Sequence, residues 1–136
     1  MEEKVEIKEV SEREIWVGES RFYLGEDKVL YETIVGDIDE TKALELKEAV
    51  LKVMNRVDGK LDILIDLNKA RNQSSKARKM GKEMFELKQN GKIALFGMHP
   101  VVRVIASFVI GITKKEDVRF FKTRQEALAW LKEGKV

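Results

Sequence analysis

The chain has 136 residues and a mass of 15.7 kDa. This size predicts a single folded domain over residues 1–136. Its 26 Lys and Arg against 24 Asp and Glu leave a net charge of +2, so the overall balance is not that of a dedicated nucleic-acid binder. The lack of Cys and the single His99 exclude disulfides, thiol nucleophiles and sites built from two imidazoles. We therefore predict no metal, no cofactor and no nucleic-acid partner.

The N-terminal part of the chain predicts an antiparallel meander. Glu14–Val17 and Arg21–Leu24 are two short strands around a turn-like stretch that contains Gly18. Lys28–Val35 is a third strand, reached through another tight turn. Residues 1–12 are either a flexible segment or an extra edge strand.

A helix and a buried strand follow. Asp39 is a typical N-cap, and apolar residues then recur at three- and four-residue steps over about five turns, up to Asp58-Gly59. Leu61–Leu67 then carries consecutive apolar residues, which is typical of a strand covered on both faces near the centre of a parallel sheet.

The rest of the chain continues this alternation of helices and strands. We predict a second helix from near Asn72–Ser75 to a C-cap at Asn90-Gly91, and a strand at Lys92–Met98. His99-Pro100 opens a third helix, Val101–Ile112. After a last strand, Asp117–Phe121, a capping box from Thr123 to Glu126 begins a helix that buries three apolar residues, Ala127, Trp130 and Leu131.

This order predicts an α/β fold. The N-terminal strands are antiparallel, the central strands are parallel, and about four helices pack on the mixed sheet.

A basic stretch covers the predicted start of the second helix. Its six cations, with no acid among them, are Lys69, Arg71, Lys76, Arg78, Lys79 and Lys82. Arg71, Lys76 and Lys79 are candidates for contact with a phosphate, an anionic headgroup or an acidic partner. The alternative is an ordinary solvated helix face, since no aromatic residue is interleaved for stacking on bases.

Two serines lie at the start of the same helix. A phosphate on Ser74 or Ser75 would be stabilised by helix-terminal N–H groups and by the nearby cations. Ser is also a common cap residue, so the simpler interpretation is helix capping.

Polar residues also collect at the predicted strand ends. Asp66 and Asn68 end one strand and His99 follows another, at the edge where ligands bind in open α/β sheets. An acid–base pair of Asp66 with His99 is conceivable. Each residue has an ordinary structural role as well, so we predict no catalytic residue and no enzyme.

The Val101–Ile112 helix is apolar on nearly every face. Core burial, contact with a second copy of the chain and contact with a lipid are three open interpretations, and Arg103 and Phe108 are candidate contact residues. At about a dozen residues this segment is shorter than the roughly 20 that span a bilayer. With no signal-like N-terminus, we predict no integral membrane segment and a cytoplasmic protein.

The segments LDILIDLNKAR, KIALFGM and DVRFFKTRQEALAWLKEG, in this order of elements, resemble the SpoIIAA-like branch of the STAS superfamily from about Glu14 onward. The resemblance implies a four-helix mixed-sheet fold and a binding rather than catalytic role. It also implies a partner switch through phosphorylation of a Ser at the start of the second helix, here Ser74 or Ser75. The stretch between Asp66 and Ser74 is longer and more basic than in the antagonists of this superfamily.

The leading functional hypothesis is therefore a regulatory domain that binds a partner protein reversibly and forms a homodimer. SpoIIAA-like domains also resemble lipid-binding Sec14-type domains. The alternative is accordingly a carrier or sensor of a small apolar or anionic ligand, held near the strand ends and the third helix.

Overall fold

The computed structural model of the chain describes residues 6–100, 103, 104, 107 and 117–134. This part of the chain forms a seven-stranded mixed sheet and three helices, where about four helices were predicted. The predicted Val101–Ile112 helix, including Phe108, lies almost entirely outside the described residues.

The sheet follows the chain order from one edge to the other. Its strands are β1 Ile7–Ser11, β2 Glu14–Val17, β3 Ser20–Leu24, β4 Val29–Ile38, β5 Leu61–Gln73, β6 Asn90–Phe96 and β7 Val118–Phe121. The helices are α1 Glu40–Met54, α2 Ser75–Phe85 and α3 Arg124–Lys132. Strands β1 to β4 pair antiparallel and β4 to β7 pair parallel, which confirms the predicted mixed sheet.

Strand β5 is longer than its apolar run predicts. It continues from Leu67 to Gln73 because its polar second half stays paired with β4, where Ala70 lies opposite Gly36 and Gln73 opposite Ile38. The side chain of Ala70 is fully buried in this extension. The second half of β5 therefore delivers the chain directly to the start of α2.

Helices α1 and α2 end earlier than predicted. Helix α1 stops at Met54, after which the backbone makes tighter i to i+3 turns up to Val57. Helix α2 stops at Phe85, and the predicted C-cap residue Asn90 instead begins β6 beside Leu61. The Asn90 side chain donates to the Met84 carbonyl at 2.6 Å. A residue six positions further along the chain therefore supplies a hydrogen-bond donor to the last turn of α2.

The helices cover the two faces of the sheet. On one face α1 and α2 pack over inward residues of β3 to β6, and this core contains Phe22, Leu30, Ile63 and Ile65. On the other face α3 buries Ala127, Trp130 and Leu131, as predicted, against Val29, Leu64, Ala94 and Phe96. The uninterrupted apolar run of β5 is thus explained by cover on both sides.

The capping box of α3 forms and supports a stability prediction. The Thr123 hydroxyl accepts from the Glu126 backbone N–H at 3.2 Å and donates to the Glu126 carboxylate at 3.0 Å. We expect Thr123→Ala to lower the free energy of unfolding by about 1 kcal/mol in urea denaturation, because one helix-end donor loses its partner. Thr123→Ser keeps the hydroxyl and is the control; an equal loss in both variants would show that the cap is not the cause.

Candidate functional site

The predicted serines occupy the first positions of α2. Ser74 is the N-cap, where its hydroxyl accepts from the Ala77 backbone N–H at 3.1 Å and its own N–H donates to the Ile38 carbonyl at 3.0 Å. Ser75 is the first helical residue, and both serines are exposed. The capping interpretation is therefore confirmed at Ser74. Because both serines are exposed, a modifying enzyme could still reach them.

The predicted cations flank these serines in sequence. Arg71, Lys76 and Lys79 are all exposed, and with Ser74 and Ser75 they form what we call the α2-start surface. Arg71 donates to the Ala70 carbonyl at 2.9 Å, which holds its guanidinium close to the strand end. The positive end of the α2 dipole adds to this charge.

Acidic residues at the end of β4 and the start of α1 border the α2-start surface. Lys76 Nζ lies 3.2 Å from a carboxylate oxygen of Glu40, the first residue of α1. Its side chain is 72% exposed, so this ion pair is screened by water and stabilises the fold little. Asp37 accepts from the Asn72 backbone N–H at 3.0 Å. The starts of α1 and α2 thus lie together at the carboxyl ends of β4 and β5, and the charge there is mixed.

Asp66 and Asn68 form a local hydrogen-bonded unit. Oδ1 of Asp66 accepts from the backbone N–H of Asn68 at 2.9 Å and from its amide group at 3.0 Å. Asn68 Oδ1 in turn accepts from the Met98 N–H at 3.0 Å, which ties β5 to the segment after β6. The half-buried His99 comes next in the chain. Asp66 and Asn68 therefore do not end a strand as predicted, because β5 continues to Gln73; they have an architectural role inside β5, beside the end of β6.

Arg103 is exposed, and its neighbour Val104 is 65% exposed. The described residues contain no group of His, Cys, Asp and Glu side chains suited to hold a metal ion. None of the helices in the described ranges is long and apolar enough to cross a membrane.

A cavity of about 120 Å³ lies between the sheet and helices α1 and α2. Its walls are mainly apolar side chains of β3, β4, β5, α1 and α2. Polar groups reach it from Glu32, Lys47, Gln73 and Asn90. The volume is several times the roughly 30 Å³ share of one water molecule, so the cavity is large enough for an organic group.

Among the described residues, Glu32 is the only one that brings a carboxyl to the wall of this cavity. It occupies an inward position of β4 between Leu30 and Ile34, with Phe22 and Ile65 as its neighbours on the adjacent strands. Glu32 is 9% exposed, and within the described ranges its carboxyl has no hydrogen-bonding or charged partner. Burial alone raises the pKa of Glu32 to about 8.

Glu32 was not among the predicted site residues, although the sequence carries a signal for it. In the strand KVLYETIV the alternation that points Leu30 and Ile34 inward also points Glu32 inward. An acidic residue at an inward strand position is rare without a partner, which marks it for a functional role. What the sequence could not show is that two helices close over it.

Comparisons with known proteins support the family suggested by the sequence. A SpoIIAA-like family model matches residues 29–132, from β4 to the end of α3. A comparison with curated proteins found no match.

Two solved structures are similar to the chain. An uncharacterized protein of the DUF3478 family with a SpoIIAA-like fold, from Shewanella loihica PV-4, is 16% identical, with a TM-score of 0.62 over 82% of this chain and 91% of that one. The anti-sigma factor antagonist SpoIIAA in its unphosphorylated form is 13% identical, with a TM-score of 0.57 over 84% of this chain and 98% of that one. At these identities the likeness shows the fold. Because the family model covers most of the sequence, the chain belongs to the SpoIIAA-like family.

Proposed function

We propose that the chain is a regulatory domain without catalytic activity that binds a partner protein reversibly through the α2-start surface. The observation that carries the proposal is the exposed Ser74–Ser75 pair at a helix N-terminus, flanked by Arg71, Lys76 and Lys79. The name of the similar antagonist SpoIIAA, whose structure is of an unphosphorylated form, supports both protein binding and control by phosphorylation. We place this activity in the cytoplasm.

The charge of the α2-start surface indicates an acidic partner. Lys79 and the well-exposed Lys76 extend from the first turns of α2, where the helix dipole also favours negative charge. A phosphate on Ser74 would add about two negative charges at this point and accept hydrogen bonds from the first helical N–H groups. It would also lie near Glu40, the acidic partner of Lys76. Phosphorylation would therefore weaken binding to an acidic surface.

We expect the double variant Lys76→Glu/Lys79→Glu to lose about nine-tenths of its partner in affinity purification from cells that encode the chain, because it reverses the attracting charge. Phosphoserine installed at position 74 is expected to act in the same direction. Recovered proteins are quantified by mass spectrometry against the wild-type bait.

The matched control is Lys60→Glu/Lys88→Glu. It makes the same change in net charge with two exposed lysines, one before β5 and one after α2, at the opposite end of these elements. Equal recovery by both double variants would contradict the proposed surface. A tryptic phosphopeptide from the native protein that contains Ser74 or Ser75 would support the switch.

Two other predictions concern the Val101–Ile112 segment. The first is the formation of a homodimer. The second is the binding of a small apolar or anionic ligand near the strand ends and this predicted helix. Because that segment lies almost entirely outside the described residues, both stay predictions.

A further inference from the structure

We propose that the cavity beneath α1 and α2 binds a small uncharged apolar molecule whose single oxygen atom accepts a hydrogen bond from the Glu32 carboxyl. This site is separate from the α2-start surface, and the proposal does not depend on protein binding there. It rests on the size of the cavity, the apolar walls and the placement of one carboxyl within them.

The size of the cavity sets the size of the ligand. Its volume of about 120 Å³ is close to that of an engineered apolar cavity of about 150 Å³ that takes up benzene. Most of its lining is buried aliphatic or aromatic side chain, including Phe22, Ile34, Ile63, Ile65 and Leu95. A single six-membered ring with one substituent fits this description better than a long acyl chain.

The half-buried part of the described cavity lining lies mainly on α2. Met80, Gly81 and Met84 line the cavity there and are only half-buried. A Cβ atom built on Gly81 would meet nothing within 4 Å, so this helical position leaves open space. Methionine side chains adapt readily to the shape of a guest. Helix α2 therefore provides an entry that needs little rearrangement of the sheet.

The Glu32 carboxyl provides the polar contact. In the structure its neighbours on β3 and β5 are Phe22 and Ile65, and within the described part of the chain its burial is not balanced by a hydrogen bond or a charge. A buried polar group without a hydrogen bond is unfavourable, so a ligand atom that supplies one is bound favourably. Since the pKa of Glu32 is raised to about 8, its carboxyl is protonated at neutral pH and can donate its O–H.

The other polar groups of the cavity fit an uncharged ligand. Lys47 of α1 reaches the lining, but in the described part of the chain no hydrogen bond or ion pair joins its ammonium group to the Glu32 carboxyl. Gln73 of β5 and Asn90 of β6 are neutral. An anionic ligand would have to leave water for these apolar walls, and an amine would first have to ionise Glu32.

The test uses benzyl alcohol as the probe, with toluene, benzylamine and benzoate as comparisons, in amide NMR titrations of the full chain. We expect benzyl alcohol to bind more tightly than the other three and to shift amides of β4 and α2. Its affinity should fall about tenfold or more between about pH 6.5 and 9.5, because the donor proton is lost as pH passes the pKa of Glu32.

Two variants separate the hydrogen bond from the shape of the cavity. Glu32→Gln keeps a donor and should bind benzyl alcohol with no dependence on pH, whereas Glu32→Leu should bind it no better than toluene. Glu48→Gln, at an exposed position of α1, is the control and should behave as wild type. The proposal is overturned if no probe binds, if toluene binds the wild-type chain equally well, or if benzylamine binds best with an affinity that rises with pH.

Discussion

Replacing Glu32 by glutamine is expected to stabilise the chain, and to do so increasingly as the pH rises. The unfolded carboxyl has a pKa near 4.5 and the folded one a pKa of about 8. Below about pH 4.5 both states bind the proton, so the wild-type chain and Glu32→Gln should unfold at similar temperatures. Between the two values only the folded state holds the proton, so the wild-type free energy of unfolding falls as the pH rises; above about pH 8 the loss is complete.

The expected size of this effect is large for one residue. The difference in pKa corresponds to a gain for the variant of about 3 kcal/mol at pH 7 and about 5 kcal/mol at pH 9. Thermal and urea unfolding at about pH 5, 7 and 9 measure it, and the exposed Glu48→Gln variant is the control. A constant difference between Glu32→Gln and wild type at all three pH values would show that Glu32 is not an isolated buried acid.

The second large effect is expected at Trp130, which anchors α3 to the sheet. Trp130 is 8% exposed, and its ring lies 5.7 Å from that of Phe121, with Lys92 Nζ and the Arg119 guanidinium 5.0 and 5.2 Å away. We expect Trp130→Ala to lower the free energy of unfolding by about 3–5 kcal/mol, because a buried ring and its packing partners are lost together. Urea denaturation measures this loss.

The other tryptophan of the chain is the matched control. Trp16 is half-buried on β2, near the edge of the sheet, where its indole N–H donates to Glu14 at 2.6 Å and Arg21 lies over its ring. Trp16→Ala should therefore cost less than Trp130→Ala. An equal or greater loss at Trp16 would mean that α3 contributes less to the fold than its buried face indicates.

Local signals predicted the elements whose ends are set by neighbouring residues. The N-cap at Asp39, the strand at Glu14–Val17 and the capping box at Thr123 depend on contacts a few residues apart, and all three are confirmed. Where the predicted bounds of an element were wrong, pairing between residues distant in sequence sets the observed bounds. The polar half of β5 is strand because β4 extends beside it, and Asn90 is strand because Leu61 lies next to it.

The candidate site residues also divide into those placed by local contacts and those placed by contacts between distant parts of the sequence. The position of Ser74 at a helix start could be predicted, since capping is local, whereas the link from Asn68 to the Met98 N–H joins segments that are distant in sequence. The environment of Glu32 could be known only from the fold. The inward direction of its side chain is visible in the β4 sequence, but its burial depends on the cover that α1 and α2 provide. A residue becomes an isolated buried acid only when every neighbouring element lacks a partner for it.

We have proposed that this SpoIIAA-like domain acts by binding a protein at the start of α2. Hydrogen–deuterium exchange of the chain, alone and with the purified partner, tests it most directly. We predict slower exchange in the complex at the end of β5 and the first turns of α2, around Arg71 to Lys79, and no such slowing with phosphoserine at position 74. Protection confined to other elements, with these amides unchanged, would contradict the account.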